Sequence, residues 1–299
     1  ICHEFNIGTK EITPLKSFHL AEGPGGFIEA LSYMRKNTTD YYYGMTLIDN
    51  NPNVPSWKKS KDFLSRNKNV IIENGASNTG DLCLIENLLY CQNKYHNTMD
   101  IITADGGFDF SDDFNNQEIS ATKLLFAEVA FALATQKIGG TFILKIFDIT
   151  TKATIDIIYL LTCCYNEVII CKPLTSRIAN AEKYIVCKGF RKLDDYDHIM
   201  KSITLNYSNI MSQSNLGCFF KPDHSNYLII KMEEINAIFG QQQLENIAYT
   251  ISIIIHTNAL DRITTMKKNN IQKCIHWCEK YNIPYTSVDS SNIFLQNVL

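Results

Sequence analysis

The chain lacks any run of about 18 uninterrupted apolar residues, the length a helix needs to cross a bilayer, so no membrane span is expected. Its densest apolar run, 155–164, is too short and carries Asp156. The first residues, Ile1-Cys2-His3-Glu4, are followed by neither a basic nor an apolar leader segment, so secretion is not signalled and a cytoplasmic protein is expected. The chain does not open on Met, which suits a piece of a longer polypeptide. Proline and glycine are scarce, at 7 and 14 in 299 residues, which favours long regular elements. An excess of one charge is also missing. The 28 basic and 31 acidic residues leave −3, so nucleic acid, if bound, needs a local basic groove. Cysteine is plentiful at 10, but Cys163, Cys164, Cys171 and Cys187 lie inside apolar runs, as free buried thiols of a reducing compartment do. A 45% hydrophobic chain of this length can bury one large or two modest cores, which excludes a disordered protein.

The patterning alternates strand and helix. Short β-like runs occupy 16–21, 42–48, 70–72, 99–104, 141–147, 168–171 and 184–187. Helical patterns fall at 27–35, 78–94, 117–137 and 151–165; Gly139-Gly140 is expected to stop the third, and Thr151 to cap the fourth. This order predicts an α/β protein with a mostly parallel sheet covered on both faces. The last two strands have no clear helix between them and read as an edge hairpin. Beyond Arg191 the pattern turns helical, with segments at 195–205, 232–239, 241–255 and 271–281. The expected division is 1–192 as the sheet domain and 193–299 as a helical extension packed on it.

Ligands of such sheets bind beyond the carboxyl ends of the strands, and the informative residues stand there. Glu22-Gly23-Pro24-Gly25-Gly26-Phe27 follows the first strand and opens a helix. Its glycines let backbone approach a ligand, but it is neither the dinucleotide fingerprint nor a phosphate loop. An acid at that turn favours a ligand with an amino group or ribose hydroxyls over a phosphate; S-adenosylmethionine has both. Asp105 ends another strand beside Gly106-Gly107. Lys145 interrupts Thr141-Phe-Ile-Leu-Lys-Ile-Phe, a costly place for a lysine unless its head is paired or reaches a cleft. Desolvation and neighbouring cations would depress it toward general-base service. Glu182 sits at the mouth of the last strand, after Lys172-Pro-Leu-Thr-Ser176-Arg177. Trp57-Lys58-Lys59-Ser-Lys61 is the densest basic run and suits an RNA path or a solvated face. Tyr41-Tyr42-Tyr43 reads as strand packing. Cys274, His276 and Cys278 lack a second ligand pair, so core packing is expected there and no metal site.

Taken together, His19-Leu-Ala-Glu-Gly-Pro-Gly-Gly-Phe-Ile, Asn78-Thr-Gly-Asp, Ile102-Thr-Ala-Asp-Gly-Gly-Phe-Asp, Gly139-Gly-Thr-Phe-Ile-Leu-Lys-Ile-Phe and Lys172-Pro-Leu-Thr-Ser-Arg with Glu182 resemble the FtsJ-like family of RNA ribose 2′-O-methyltransferases. Within it the likeness is to the Adrift-type enzymes, which methylate nucleotides next to the messenger RNA cap. It covers roughly residues 1 to 192. The Ile- and Asn-rich style resembles that of large cytoplasmic DNA viruses of the asfarvirus kind.

The resemblance implies a Rossmann-like S-adenosylmethionine-dependent methyltransferase fold, with a seven-stranded sheet and an antiparallel edge hairpin. The family's Lys-Asp-Lys-Glu tetrad falls on Asp105, Lys145 and Glu182, spaced 40 and 37 residues apart. Its first Lys belongs on a helix before the first strand. Only Lys10 and Lys16 precede Gly23, neither suitably placed, so that Lys is expected to precede Ile1 or to be lost. The implied cofactor contacts are Glu22, Gly23, Pro24, Gly25, Gly26, Phe27, Thr46, Leu47, Asp81 and Asp105, with Asp81 facing the adenine. The implied RNA contacts are Lys172, Ser176 and Arg177, with Lys58 and Lys59 flanking the path. No metal is needed. The expected partner is the capped 5′ end of a messenger, with a protein partner or second copy held by the C-terminal helices. Ribosomal or transfer RNA as substrate, or a silent subunit supporting a partner enzyme, are the alternatives.

Overall fold

A computed structural model describes residues 1–9, 14–49, 54–107, 116–213, 216–219, 224–256 and 260–285. A seven-stranded sheet organises the chain. Its strands are β1 (Lys16–Leu20), β2 (Tyr41–Met45), β3 (Val70–Ile72), β4 (Met99–Ala104), β5 (Gln136–Ile146), β6 (Tyr165–Cys171) and β7 (Lys183–Phe190), in the spatial order β3-β2-β1-β4-β5-β7-β6. All pairings are parallel except those of β7, which runs antiparallel to both β5 and β6. The order reverses between β1 and β4, and a crevice opens at such a switch point beyond the carboxyl ends.

Side chains alternate between two cores, as the two-residue period of a strand requires. Phe142, Leu144 and Ile146 of β5 join one core with α4 (Ile85–Tyr95), α5 (Gln117–Thr135), α6 (Lys152–Cys164) and α7 (Tyr196–Ser212). Ile143, with Tyr184 and Val186 of β7, joins the other, under α1 (Cys2–Phe5) and α2 (Gly26–Arg35). Lys145 shares parity with Ile143, so it emerges on the α2 face at the rim. The short helix α3 (Lys61–Arg66) follows a 3₁₀ turn at Trp57–Ser60.

The chain divides into a compact unit, Ile1–Gln243, and a second, Leu244–Leu299. In the first, α7 is tied down by Tyr207 Oη donating to the Leu82 carbonyl (2.6 Å) and Tyr196 Oη to that of Leu133 (2.6 Å). Asn236, on α8 (Asn226–Ile255), donates to the Ile149 carbonyl. His224 and the fully buried Asp156 pair at 2.5 Å. In the second unit, α9 (Leu260–Lys280) sets Arg262 over the Tyr249 ring.

Several expectations shift. The third helix stops at Thr135, and Gly139-Gly140 lies inside β5 rather than ending the helix. The helix expected from Asn78 begins at Ile85, because 78–84 form turns. The two segments at 232–239 and 241–255 are one helix, α8, which continues through Gly240. Cys274 and His276 are exposed on α9 rather than packed in a core, since that helix buries none of its described side chains. Thr151 caps α6 as expected, accepting from the Thr154 N–H. All ten cysteines are free thiols. No described helix is long and apolar enough to cross a membrane.

Candidate active site

The rim beyond β1, β4, β5 and β7 collects the titratable residues. Leu144 pairs with Ala104, the last residue of β4, so Asp105 and Lys145 leave the sheet as neighbours. Lys145 Nζ donates to the Asp105 carbonyl oxygen at 2.9 Å and stands 3.4 Å from Asp105 Oδ1. Antiparallel register then places Tyr184 directly opposite Lys145. Tyr184 Oη donates to Asp105 Oδ1 at 2.9 Å. Burial raises the Asp105 carboxyl; Lys145 and Tyr184 pull it back, and Glu182 opposes them with like charge. Burial raises the Tyr184 phenol too, ahead of the Asp105 and Glu182 charges. Gly107 keeps the place beside Lys145 clear, because a Cβ there would sit 3.2 Å from Nζ.

Glu182 immediately precedes β7. Ser176 Oγ donates to its Oε1 at 3.0 Å, and Lys172 Nζ donates to its carbonyl at 2.7 Å. Lys172 also holds the Asn180 carbonyl and Asn180 Oδ1, each at 2.9 Å. Burial and the nearby Lys183 ammonium push Lys172 down to about 8. Lys172 thus spends its three donors bracing the loop that carries Glu182. Arg177 is exposed, as are Lys58 and Lys59 at the 3₁₀ turn.

The glycine turn adjoins this cluster. Ala21 turns the chain out of β1 in a left-handed conformation, φ 53°. Glu22 is buried, which raises its carboxyl. Its Oε1 accepts from Thr103 Oγ1, and a buried polar chain continues from Thr103 Oγ1 to His19 Nδ1 and from His19 Nε2 to Ser17 Oγ. Glu22 Oε2 makes no hydrogen bond, although His19 Nδ1 lies 3.3 Å away. Gly25, at φ +102°, caps α2, and the Trp57 ring fills the space where its Cβ would be, at 2.8 Å. A Cβ on Gly23 would meet the Pro55 carbonyl and Thr46, whereas one on Gly26 would meet nothing within 4 Å. Phe27 leans toward Tyr184, with ring centroids 6.1 Å apart.

Thr46 and Leu47 follow β2, the first buried and the second 38% exposed. Gly80 packs so closely that a Cβ would lie 2.1 Å from the Thr46 carbonyl, and Ile48 N–H donates to Thr79. Asp81 Oδ1 accepts the Cys83 N–H at 2.8 Å. Of the three tyrosines expected to pack in the strand, Tyr42 is fully buried and Tyr43 packs against the core, whereas Tyr41 is exposed.

The geometry also adds residues the motifs did not single out. Tyr184 could have been found as the aromatic two places past Glu182, in register with Lys145. Glu128, buried on α5, accepts the Gly106 N–H at 2.9 Å. Its signal was an acid among Ala, Leu, Phe and Val. Among the described residues, no group of three or more His, Cys, Asp or Glu could hold a metal. A cleft of about 390 Å³ opens at the opposite rim, by Asn6, Asp100, Gly139 and Lys188. Lys137 and Lys188 there already face Asp100 and Glu167.

The family model described as FtsJ-like methyltransferase matches residues 2–190. A cap-specific mRNA (nucleoside-2′-O-)-methyltransferase 2 from Pongo abelii is 29% identical over 287 residues, covering 91% of this chain and 36% of that protein. The human cap-specific mRNA (nucleoside-2′-O-)-methyltransferase 1 is 34% identical over 198 residues, covering 63% of this chain and 23% of that protein. The chain thus spans between about a quarter and a third of the length of the curated relatives it matches. Among solved structures, a Plasmodium falciparum protein described as a ribosomal RNA methyltransferase gives a TM-score of 0.44 at 19% identity, covering 63% of this chain and 92% of that one.

Proposed function

The chain belongs to the FtsJ-like methyltransferase family, and from that premise we propose that it transfers a methyl group from S-adenosylmethionine to a ribose 2′-oxygen beside a messenger RNA cap. The observation that carries this is the pairing of Lys145 with Asp105, and of Asp105 with Tyr184, at the rim next to the glycine turn.

The residues present fit the cofactor. A buried acid with an unbonded oxygen, Glu22 Oε2, suits a ligand bearing an amino group or hydroxyls. Gly26 leaves open space, and Glu22, Gly23, Pro24, Gly25, Gly26 and Phe27 would line it. Thr46 and Leu47 would border the adenosine, with Asp81 toward the adenine. When bound, S-adenosylmethionine supplies an electrophilic methyl on a cationic sulfur.

In-line methyl transfer asks a protein chiefly to align the reacting atoms and ease loss of the hydroxyl proton. Lys145 is the group for that proton. It acts with one proton already released to solvent: two N–H bonds face Asp105, and the lone pair in the third position takes the proton of the 2′-hydroxyl. Asp105 fixes the amine, and Tyr184 fixes Asp105. Glu182, braced by Ser176, adds negative charge that favours cations nearby. Lys172 and Ser176 would then serve RNA by shaping the Glu182 loop, with exposed Arg177, Lys58 and Lys59 meeting phosphates.

The methyltransferase domain on this reading is 1–192, with 193–299 a helical extension. The exposed apolar residues of α8, among them Ile238, Ile251 and Ile254, support a partner chain or second copy there. The Adrift-type motifs support the cap-proximal branch; the cytoplasm and a viral origin complete the reading.

A second reading is a catalytically silent subunit that holds cofactor or RNA for a partner. One observation favours it: α1, the only described helix before β1, carries no lysine, and Lys16 opens β1 itself. Lys10 lies outside the described residues. Methyl-transfer assays on capped, uncapped, already cap-1, ribosomal and transfer RNA decide. Methylation of capped RNA alone is expected; none on any capped RNA removes the first reading.

A further inference from the structure

One buried acid has no part in the chemistry described above. Helix α5 crosses the core as Leu125, Ala127, Val129, Ala130 and their neighbours, all buried, yet Glu128 stands among them, fully buried. A carboxyl in such surroundings is costly unless it has partners. Glu128 has one. Its Oε1 accepts the Gly106 N–H at 2.9 Å, while its Oε2 makes no hydrogen bond. The fit around that contact is close: a Cβ on Gly106 would lie 2.4 Å from Oε1 and 2.6 Å from Leu124 Cδ2. Gly106 follows Asp105 directly, just past the end of β4: the Asp105 N–H still donates to the Leu20 carbonyl at 3.2 Å, and the next amide, that of Gly106, is held by Glu128.

We infer that Glu128 is a positioning residue for methyl transfer: reaching up from the helix face opposite Lys145, it anchors the backbone at Gly106 and thereby sets where Asp105, and through it Lys145, stands. The inference rests on the methyltransferase reading of the same site. Packing alone would be served better by Leu, which fills similar volume without burying a polar group. The charges around Glu128 are mixed. Lys145 favours its ionised form, Asp105 and Glu22 oppose it, and the Cys83 thiol and Tyr207 phenol lie in reach from two further elements. Burial outweighs these and pushes the carboxyl up to about 8.

Two variants of the full chain test the anchor. Glu128→Gln keeps a carbonyl acceptor for Gly106, and Glu128→Leu keeps the volume without one. Deuterium exchange at the Gly106 amide should accelerate about tenfold or more in Glu128→Leu and stay near wild type in Glu128→Gln, as loss or retention of one hydrogen bond requires. With capped RNA, kcat should fall about tenfold to a hundredfold in Glu128→Leu, while the KM for S-adenosylmethionine and the calorimetric affinity for S-adenosylhomocysteine hold within about threefold. Glu128→Gln should restore kcat. Unchanged Gly106 exchange in Glu128→Leu overturns the inference, as does loss of Gly106 protection in Glu128→Gln. A parallel collapse of kcat and cofactor affinity also overturns it, because that marks general damage. If the wild type methylates no capped RNA yet shows the expected exchange pattern, the functional reading fails and the anchor stands.

Discussion

Replacing Lys145 by Met removes the ammonium and keeps the length of the side chain. The structure separates what that does to folding from what it does to chemistry. In the folded chain Lys145 makes one hydrogen bond to the Asp105 carbonyl and one ion pair with its carboxylate, with side chains 12% and 31% exposed. A charge-assisted hydrogen bond contributes about 1.5–3 kcal/mol, and partial exposure pulls this pair to the lower end. A cost of about 1–2 kcal/mol lowers Tm by about 5 °C in a domain of this size, so the variant stays folded. Positioned proton transfer is worth about 10²–10⁴ in rate, or about 3–5 kcal/mol of barrier. Lys145→Met should therefore lose about 10²–10⁴ in kcat with labelled S-adenosylmethionine and capped RNA. Lys145 makes no hydrogen bond or ion pair with Glu22 or the glycines of the turn, and Asp105, the one cofactor contact it touches, keeps its bond from Tyr184, so S-adenosylhomocysteine affinity by calorimetry should hold within about threefold. A kcat loss smaller than about tenfold would refute the role of Lys145. A fall in cofactor affinity that tracks kcat would show instead that the substitution had disordered the rim.

Three further outcomes are expected. Tyr184 donates to Asp105 and holds its carboxyl down, so Tyr184→Phe should raise that titration. The acid limb of the kcat–pH profile then moves to higher pH, and an unmoved limb argues against the pairing. Glu128 titrates at about 8 in the folded chain against an ordinary 4.5, so the folded state binds more protons across that window. Stability must fall as pH rises through it, and urea unfolding at pH 5 and pH 8 should show this slope flattened in Glu128→Gln. Gly80 has φ +65° with the Thr46 carbonyl 2.1 Å from a would-be Cβ. Gly80→Ala should cost about 1–3 kcal/mol by thermal denaturation and weaken S-adenosylhomocysteine binding, since Thr46 must shift.

The sheet was readable because each strand is a short apolar run with an abrupt polar end, and those ends are where the rim side chains stand. Lys145 stood out because a lysine between Leu144 and Ile146 breaks the burial pattern. Helix limits were less legible. Gly139-Gly140 looks like a helix stop, yet Gln136 has already entered β5, where its side chain donates to the Met99 carbonyl. Gly240 looks like a break between two helices, but it sits where a Cβ would meet nothing and costs α8 only propensity. Tyr184 and Glu128 were hidden for another reason: their significance is relational. One matters through antiparallel register with Lys145 and the other through a backbone amide 22 residues away. The polar use of Lys172 was hidden likewise, because composition does not tell an ammonium that meets phosphate from one that ties carbonyls together.

The placement of β7 carries a consequence for how the protein is made. It enters between β5 and β6, and β6 pairs with it alone. During synthesis β5 therefore waits with one flank bare, and β6 with no neighbour, until residue 190 has left the ribosome. The insertion that seals the sheet is also the event that delivers Tyr184 to Asp105. A nascent chain short of that point is a ready aggregation template, and the finished strand completes the rim cluster and covers the bare flank of β5 in one stroke.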